Sequence, residues 1–335
     1  MPARHLVVIG TSAGGIDALR ALVARLPADF PAPLAVVMHS SPQAPGVLHE
    51  ILSRAGSLTG VSPRDREPLI DGRIYVAPPD NHLLVEPGIL RVTKGPKENR
   101  FRPAIDPLFR SAAQVFGPAA IGVILTGNLD DGTAGLMTIK QLGGIAIVQD
   151  PDEAPFPSMP LNALRHVHVD HRLALADIPP VLQRLTAARA PVMTTPVPHV
   201  VEVEVEIAKA KNAIDAGVEQ AAEPSSYACP ECHGVLLQMK DDGLIRFRCH
   251  TGHAYSAESL LDALTEGVEA ALWGATRALE ESALLIGQMA AHVRERHSGT
   301  TASHFEERAA EAHRQAKLIR TLLLTAPAAS SAEGS

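Results

Sequence analysis

The chain has 335 residues, 46% of them hydrophobic and 20% charged, with a formal net charge of −7. That is the balance of a globular protein, long enough for two domains or for one large core with additions. Lys and Arg form no run and aromatic residues make up 3%; both facts argue against nucleic acid as a partner, because phosphates need clustered cations and bases need stacking rings. No apolar run reaches bilayer-spanning length and no cleavage-type signal precedes the first apolar segment, so the expectation is a cytoplasmic chain without direct membrane insertion.

In chain order, the first half alternates strand-like and helix-like segments. "HLVVIG" is β-rich, and "IDALRALVARL" places Ile16, Leu19, Val23 and Leu26 on one helical face. A second strand, "LAVVMH", and a second helix, "VLHEILSRA", follow. Strands are predicted at "GRIYVAPP", "HLLVEPG" and "ILRVTKG", with an antiparallel insertion between Tyr75 and Thr93. The helix "DPLFRSAAQVF", the strand "AIGVILTG", the helix "DGTAGLMTIKQLG" and the strand "GIAIVQD" come next, and the helical "PLNALRH" and "IPPVLQRLT" close the half. Continuous apolar strands separated by helices imply a Rossmann-like, doubly wound, mostly parallel α/β sheet over residues 1–190.

Residues 191–225 open with the Pro- and Thr-rich "PVMTTPVPHV" and read as a linker. Within them "VEVEVEIAKAKNAIDAG" alternates like a strand at first and reads as a helix later. Residues 226–255 hold all three cysteines, in "CPECHG" and "RFRCHTGHAYS". The spacing C-x2-C, then C-x3-H, makes Cys229, Cys232, Cys249 and His253 the ligands of a structural Zn2+ in a zinc ribbon. His250 is the rival fourth ligand. "GVLLQMK" and "LIRFR", joined by "DDG", form the hairpin between the two turns. A module of this size has too small a core to fold alone, and a closed shell of four ligands leaves no place for a reacting water. Metal is therefore expected for stability and none for catalysis.

Residues 256–325 step apolar side chains by three and four. The first run is Leu261, Leu264, Val268, Leu272, Ala275, Leu279, Ser282, Ile286, Met289 and Val293. The second is Phe305, Ala309, Ala312, Ala316, Ile319 and Leu323. With "HSGTT" between them they predict an antiparallel α-helical hairpin that packs along one seam and offers a route to an oligomer. Residues 326–335 read as a disordered tail.

Chemistry concentrates at Ser12, which follows the first strand in "VVIGTSAGG". The glycine spacing is not G-x-G-x-x-G, the second strand ends in His39 rather than an acidic residue, and no P-loop lysine is present, so the nucleotide reading is weak. In an open parallel sheet the strand C-termini form the binding crevice. Ser12, His39 and the Asp130–Asp131 pair each follow such an end. A serine, a base and a carboxylate on one rim are the set that acyl transfer needs, and amides at Ala13, Gly14 and Gly15 at the start of the following helix suit an oxyanion. Plain roles stay open at this level: a helix cap for Ser12 or Asp131, a satisfied core position for His39.

These motifs resemble the catalytic domain of chemotaxis protein-glutamate methylesterases of the CheB type. "GTSAGGIDAL", "VVMHSSP", "YVAPPDNHLLV", "RPAIDPLFRSAA", "IGVILTGNLDDGTAGL" and "SMPLNAL" follow in that family's order, from about residue 5 to 185. The resemblance implies Ser12 as nucleophile, His39 as base and Asp131 as orienting carboxylate, the last because Gly132 follows it. It places Asn128, Gly132, His82 and Arg102 around the cleft. It implies hydrolysis of γ-glutamyl methyl esters on receptor or signalling-protein helices, with glutamine deamidation as a companion activity. Ala13 stands where the family has Thr, Asn128 and Leu129 where it often has Met-Gly, and Ser40, Ser41, Pro42 where Met-Pro is usual. No receiver domain precedes the catalytic segment, so control is expected from elsewhere. Two alternatives accompany this reading: a serine esterase or amidase acting outside chemotaxis, and a non-catalytic adaptor working through the zinc and helical region.

Overall fold

The computed structural model describes residues 5–240, 243–296 and 299–325. The predicted tail, 326–335, and Asp241 and Asp242 of the "DDG" turn lie outside the described residues. Contacts divide the chain into two compact units, one ending at Leu260 and the other beginning at Leu261.

In the first unit the strands are β1 (Leu6–Thr11), β2 (Leu34–Met38), β3 (Thr59–Val61), β4 (Glu67–Pro68), β5 (Arg73–Val76), β6 (His82–Glu86), β7 (Ile89–Thr93), β8 (Ala120–Ile124), β9 (Ile145–Gln149) and β10 (His171–Leu173). Seven of them form one sheet in the order β10-β9-β8-β1-β2-β5-β3, with every neighbouring pair parallel. β1 sits between β2 and β8, so the chain order reverses there and a crevice opens at the C-terminal ends of these strands.

The strands read as unbroken apolar runs because both faces are covered. Leu6 and Val8 of β1 join one core cluster, and Val7 and Ile9 join the other. The helices α1 (Gly15–Val23) and α2 (Leu48–Ala55) pack on one face; α3 (Ile105–Phe116), α4 (Thr133–Gln141) and α5 (Ser158–His166) pack on the opposite one. α6 (Ile178–Ala187) adds Ile178, Val181 and Leu182 to the α1 side. The expected antiparallel insertion is narrower than Tyr75–Thr93. β5 belongs to the large sheet, whereas β6 and β7 form a hairpin flanked by β4.

Residues 191–225 are not a bare linker. α7 (His199–Ala208) and the short α8 (Val218–Ala221) are folded, and Val201, Val203, Val205 and Ile207 are buried. The alternating "VEVEV" forms a helix rather than a strand because α7 is covered on more than one side, so apolar residues at spacing two all find cover. Four antiparallel strands follow: β11 (Ala222–Ala228), β12 (Val235–Met239), β13 (Arg246–Cys249) and β14 (Ala254–Ser256). The β12–β13 pair is the hairpin anticipated from sequence.

The second unit is formed by α9 (Ala257–Arg296), from Leu261 onward, and α10 (Gly299–Thr325). Phe305, Ala309, Ala312, Ala316, Ile319 and Leu323 form the α10 side of the seam as expected. On α9 the seam runs through Leu272, Thr276, Leu279, Ala283, Ile286, Ala290 and Val293, whereas Ala275, Ser282 and Met289 face water. The spacing of three and four is correct, and every second step is displaced by one residue. Small residues stand at both alternatives in the Ala275/Thr276 and Ser282/Ala283 steps, and at Met289/Ala290 the smaller residue takes the seam, so apolarity alone does not fix it. Leu261, Leu264 and Val268 are also exposed.

Candidate active site

β1 ends at Thr11, and the chain turns sharply before α1. Gly14 adopts φ +74° there, a left-handed backbone that side chains rarely tolerate. Below the turn, a Cβ on Gly127 would meet Met159 Sδ at 2.1 Å and Ser12 Cβ at 2.9 Å, so the glycine lets the β8 loop pass under the serine. Ser12 N donates to Thr126 O at 3.1 Å and His39 N to Thr11 O at 3.2 Å, which ties the three strand ends together.

His39 Nδ1 lies 3.2 Å from Ser12 Oγ, and His39 Nε2 lies 2.7 Å from Asp131 Oδ2. The His39 and Asp131 side chains are only 4% and 2% exposed. Burial pushes the Asp131 carboxyl up, but hydrogen bonds from His39, Ile105 and Asn99 and the pull of the imidazole charge outweigh it, so its pKa lies below the usual carboxylate value. An ionised carboxylate only accepts. The imidazole proton therefore sits on Nε2, leaving the Nδ1 lone pair facing the serine. The imidazole also stacks on Phe101, with centroids 3.7 Å apart and planes 5° from parallel.

Asp131 is held from four directions. Besides His39, Ile105 N donates to Oδ2 at 2.7 Å, Asp106 N to Oδ1 at 3.3 Å and Asn99 Nδ2 to Oδ1 at 2.9 Å. Two of these donors are the first amides of α3, where the helix dipole favours an anion. Asp106 shares the same buried pocket. Burial, then the neighbouring Asp131 charge, drive its pKa well above the ordinary value.

Ser12, His39, Ala13, Gly14, Gly15 and Arg102 line one open cavity of about 730 Å³, together with Met38, Phe101 and Ser40 to Pro42. Among the described residues, no acceptor takes the Ala13 or Gly14 N–H, whereas Gly15 N closes the turn onto Ser12 O at 3.0 Å. Arg102 reaches Asp80 Oδ1 through Nε at 2.9 Å and Nη2 at 2.6 Å, and the Gly95 carbonyl through Nη1 at 2.8 Å.

Three other candidates sit apart from the cavity. His82 is fully buried, with Nε2 2.8 Å from Pro96 O and Nδ1 accepting from Ala104 N at 3.3 Å. Asn128 is exposed and does not border the cavity. Gly132, with φ +94°, is the turn that delivers Asp131 to the relay. Sequence reasoning did not find Phe101 or Asn99. Both lie in "KENRF", which has no periodicity, and the one available signal was a cluster of polar residues ahead of the "RPAID" motif.

In the C-terminal module, ligand atoms of Cys229, Cys232, Cys249 and His253 all lie within 4.8 Å of one another. Cys229 Sγ and Cys249 Sγ stand 3.7 and 3.6 Å from His253 Nδ1, and Cys232 Sγ stands 3.6 Å from Cys249 Sγ. Ligands about 2.3 Å from a tetrahedral centre are separated by about 3.7 Å, so this donor set fits a metal ion. His250 lies away from the cluster, 3.8 Å from Glu219 Oε1.

A serine, an imidazole and a buried carboxylate in relay, at the strand ends of a parallel α/β sheet, define a hydrolase of the serine-nucleophile class. The CheB methylesterase family model matches residues 7–182, and the chain belongs to that family. A putative protein-glutamate methylesterase/protein-glutamine glutaminase of Leptospira interrogans is 39% identical over 180 residues, 53% of this chain and 93% of the relative. A protein-glutamate methylesterase/protein-glutamine glutaminase of Anaeromyxobacter dehalogenans is also 39% identical, over 54% of this chain and 53% of its own length. The Thermotoga maritima CheB methylesterase catalytic domain superposes with a TM-score of 0.53 at 34% identity, covering 54% of this chain and 98% of that one. Each of these three similarities covers a little over half of the chain, 53–54%. Among the described residues, no helix is long and apolar enough to cross a membrane.

Proposed function

We propose that this chain is a protein-glutamate methylesterase acting on methylated receptor or signalling-protein helices. The observation that carries the reading is the Ser12–His39–Asp131 relay opening onto the cavity. Ser12 Oγ attacks the ester carbonyl carbon and gives its proton to His39 Nδ1, while Asp131 steadies the imidazolium. The Ala13 and Gly14 amides stabilise the developing oxyanion. Collapse breaks the C–O bond to methoxide, which takes the proton from His39 and leaves as methanol. Water then attacks the glutamyl-Ser12 ester with His39 as base, and a free glutamate carboxylate departs. The same cycle on a glutamine side chain expels ammonia. Arg102, pinned by Asp80 at the cavity wall, offers positive charge to acidic neighbours of the substrate glutamate. The Cys229, Cys232, Cys249 and His253 site holds a structural Zn2+ and takes no part in the chemistry.

The test is methanol release from methylated chemoreceptor cytoplasmic fragments. Wild type releases it, and Ser12→Ala lowers the rate by roughly 10⁴-fold or more. Equal release by both, or none from folded wild type, refutes the assignment. In the second case, hydrolysis of other esters or amides distinguishes a different substrate from an adaptor.

A further inference from the structure

The Asn99 side chain bonds both the relay carboxylate and the C-terminal module. Its Nδ2 donates to Asp131 Oδ1 at 2.9 Å and to Asp106 Oδ2 at 3.1 Å. Its Oδ1 accepts from Ser256 N at 2.9 Å and Ser259 Oγ at 3.0 Å. Ser256 N is a main-chain donor and cannot accept, so Oδ1 must face it and both Nδ2 hydrogens must face the carboxylates. The amide orientation is thus fixed from both ends, by the acceptor-only Asp131 carboxylate and by the Ser256 main-chain donor of the C-terminal module.

The backbone is tied there as well. Asn99 N donates to Ala254 O at 2.8 Å and Ala254 N to Lys97 O at 3.2 Å, so the Lys97–Asn99 segment pairs with β14. Asn99 has φ +48°, a left-handed value that asparagine tolerates better than most side chains. Ser256 Oγ donates to Asp130 Oδ1 at 2.7 Å, beside Asp131 in the same loop. Asn162 Nδ2 joins the opposite wall, bonded to Leu129 O at 3.0 Å and Glu258 Oε2 at 2.8 Å. The metal ligand His253 immediately precedes Ala254.

We propose that Asn99 is a positioning residue for the Asp131 carboxylate, and that Ala254–Ser259 of the C-terminal module holds Asn99 in its working orientation. The inference rests on the reading of Ser12 as the nucleophile. A Ser12 whose base is correctly aimed attacks fast; loosening Asp131 lets the imidazole ring drift, and a displacement of about 1 Å can cost on the order of 10²-fold in rate.

The test is the rate at which a fluorophosphonate labels Ser12 in the full-length protein. Ser12 Oγ displaces fluoride from phosphorus and His39 takes the hydroxyl proton. The final extent of labelling counts competent sites; the rate reads how well each is activated. Asn99→Ala is expected to slow labelling about 100-fold, and Ser259→Ala about 3- to 10-fold, both at full final extent. The titratable groups that face Asp131 are His39, His82, Asp106 and Asp130. Losing the Asn99 donor makes Asp131 more basic, so the acid limb of the labelling profile moves to higher pH. A lower extent at unchanged rate means a merely structural role and overturns the proposal. If Asn99→Ala does not fold, Ser259→Ala decides alone, because it leaves both Asn99 donors in place: an unchanged rate defeats the module's part. Labelling of wild type but not of Ser12→Ala keeps the nucleophile assignment standing in either event; no labelling of wild type removes that assignment and this inference together.

Discussion

Glu98 and Asn99 are neighbours in the chain, yet they serve two buried polar clusters of opposite character. Asn99 joins the relay, where a single carboxylate, Asp131, receives donors from His39, Ile105, Asp106 and Asn99. Glu98 joins a cluster of charges. It pairs with Arg110 of α3 and with Arg248 of β13, and Arg248 Nη2 also lies 2.9 Å from Glu204 of α7. Arg246 reaches the same Glu204 at 2.8 Å. In the first cluster four donors converge on one group's direction and charge, with Asp106 bonded beside it through Asn99. In the second, three guanidiniums share two carboxylates, and among the described residues Arg110 Nε and Arg248 Nε find no hydrogen-bond acceptor. A buried ion cluster seldom adds much net stability over an apolar equivalent, because desolvation offsets the attraction. What it does supply is selectivity: only one placement of α7 and the four-stranded sheet against α3 leaves these charges paired. The relay cluster is organised for reaction, the charge cluster for register.

The sharpest way to break this contrast is to strip the proposed metal, since both clusters draw partners from β13 and β14, which adjoin the Cys229, Cys232, Cys249 and His253 cluster. Structural zinc contributes on the order of 10 kcal/mol to the folding of small modules. If that cluster holds its proposed Zn2+, chelation or Cys232→Ser should strip hydrogen-exchange protection from β12 to β14, and metal analysis should find one ion per chain in wild type and none in the variant. β1, β2 and β8 should keep theirs, because their core clusters contain no residue of the module. Retained protection at Arg246 to Cys249 without metal would show that the charge cluster suffices to hold the sheet.

Next in size is the charge cluster itself. Burial pushes the Glu204 carboxyl up, and Arg110, Arg246 and Arg248 outweigh that and hold it well below the carboxylate range. Glu204→Gln leaves three guanidiniums with one carboxylate, and breaking such a buried set costs about 3–5 kcal/mol. The pH sign follows from the depressed value. The contribution of Glu204 is fully present above the unfolded carboxylate pKa of about 4.3 and disappears as acid protonates the folded group. Urea midpoints for wild type and variant should thus differ most at neutral pH and approach one another on acidification. A constant gap would place the cost in packing rather than charge.

The two clusters also differ in how far the sequence reveals them. Ser12, His39 and Asp131 were legible because each follows a strand whose apolar run is unmistakable, and parallel topology puts those strand ends on one rim. The clustering of Cys229, Cys232, Cys249 and His253 was legible because the sequence sets them in two turn-forming pairs. Glu204 was hidden inside "VEVEVEIA", where an acidic residue among valines looks like one face of a strand; that α7 is covered on several sides is a tertiary fact. Arg246 and Arg248 sat in plain sight beside Cys249, but partners that far away in sequence leave no periodic trace. Asn99 was missed for the same reason, its role depending on Ala254 to Ser259, more than 150 residues downstream.

The smallest effect discriminates most finely between the two kinds of cluster, because Asp130 lies at the edge of the relay yet behaves like a misfit charge. Burial raises its pKa, helped by Glu258 and Asp131 and opposed by the Ser256 hydrogen bond, to about 7. A carboxyl raised in the folded state binds its proton more tightly there than in the unfolded chain. Wild-type stability therefore declines as pH climbs from about 4 toward 7 on this group's account, and then levels off. Asp130→Asn keeps an oxygen for Ser256 Oγ and removes the charge. Its urea midpoint should match wild type near pH 4 and exceed it modestly at pH 8, with Ser12 labelling intact because Asp131 keeps all four donors. A lower midpoint at pH 8 would mean that the ionised Asp130–Ser256 bond stabilises the docked module more than desolvation opposes it, and the carboxylate would then belong with Glu98 and Glu204 as a register-setting charge.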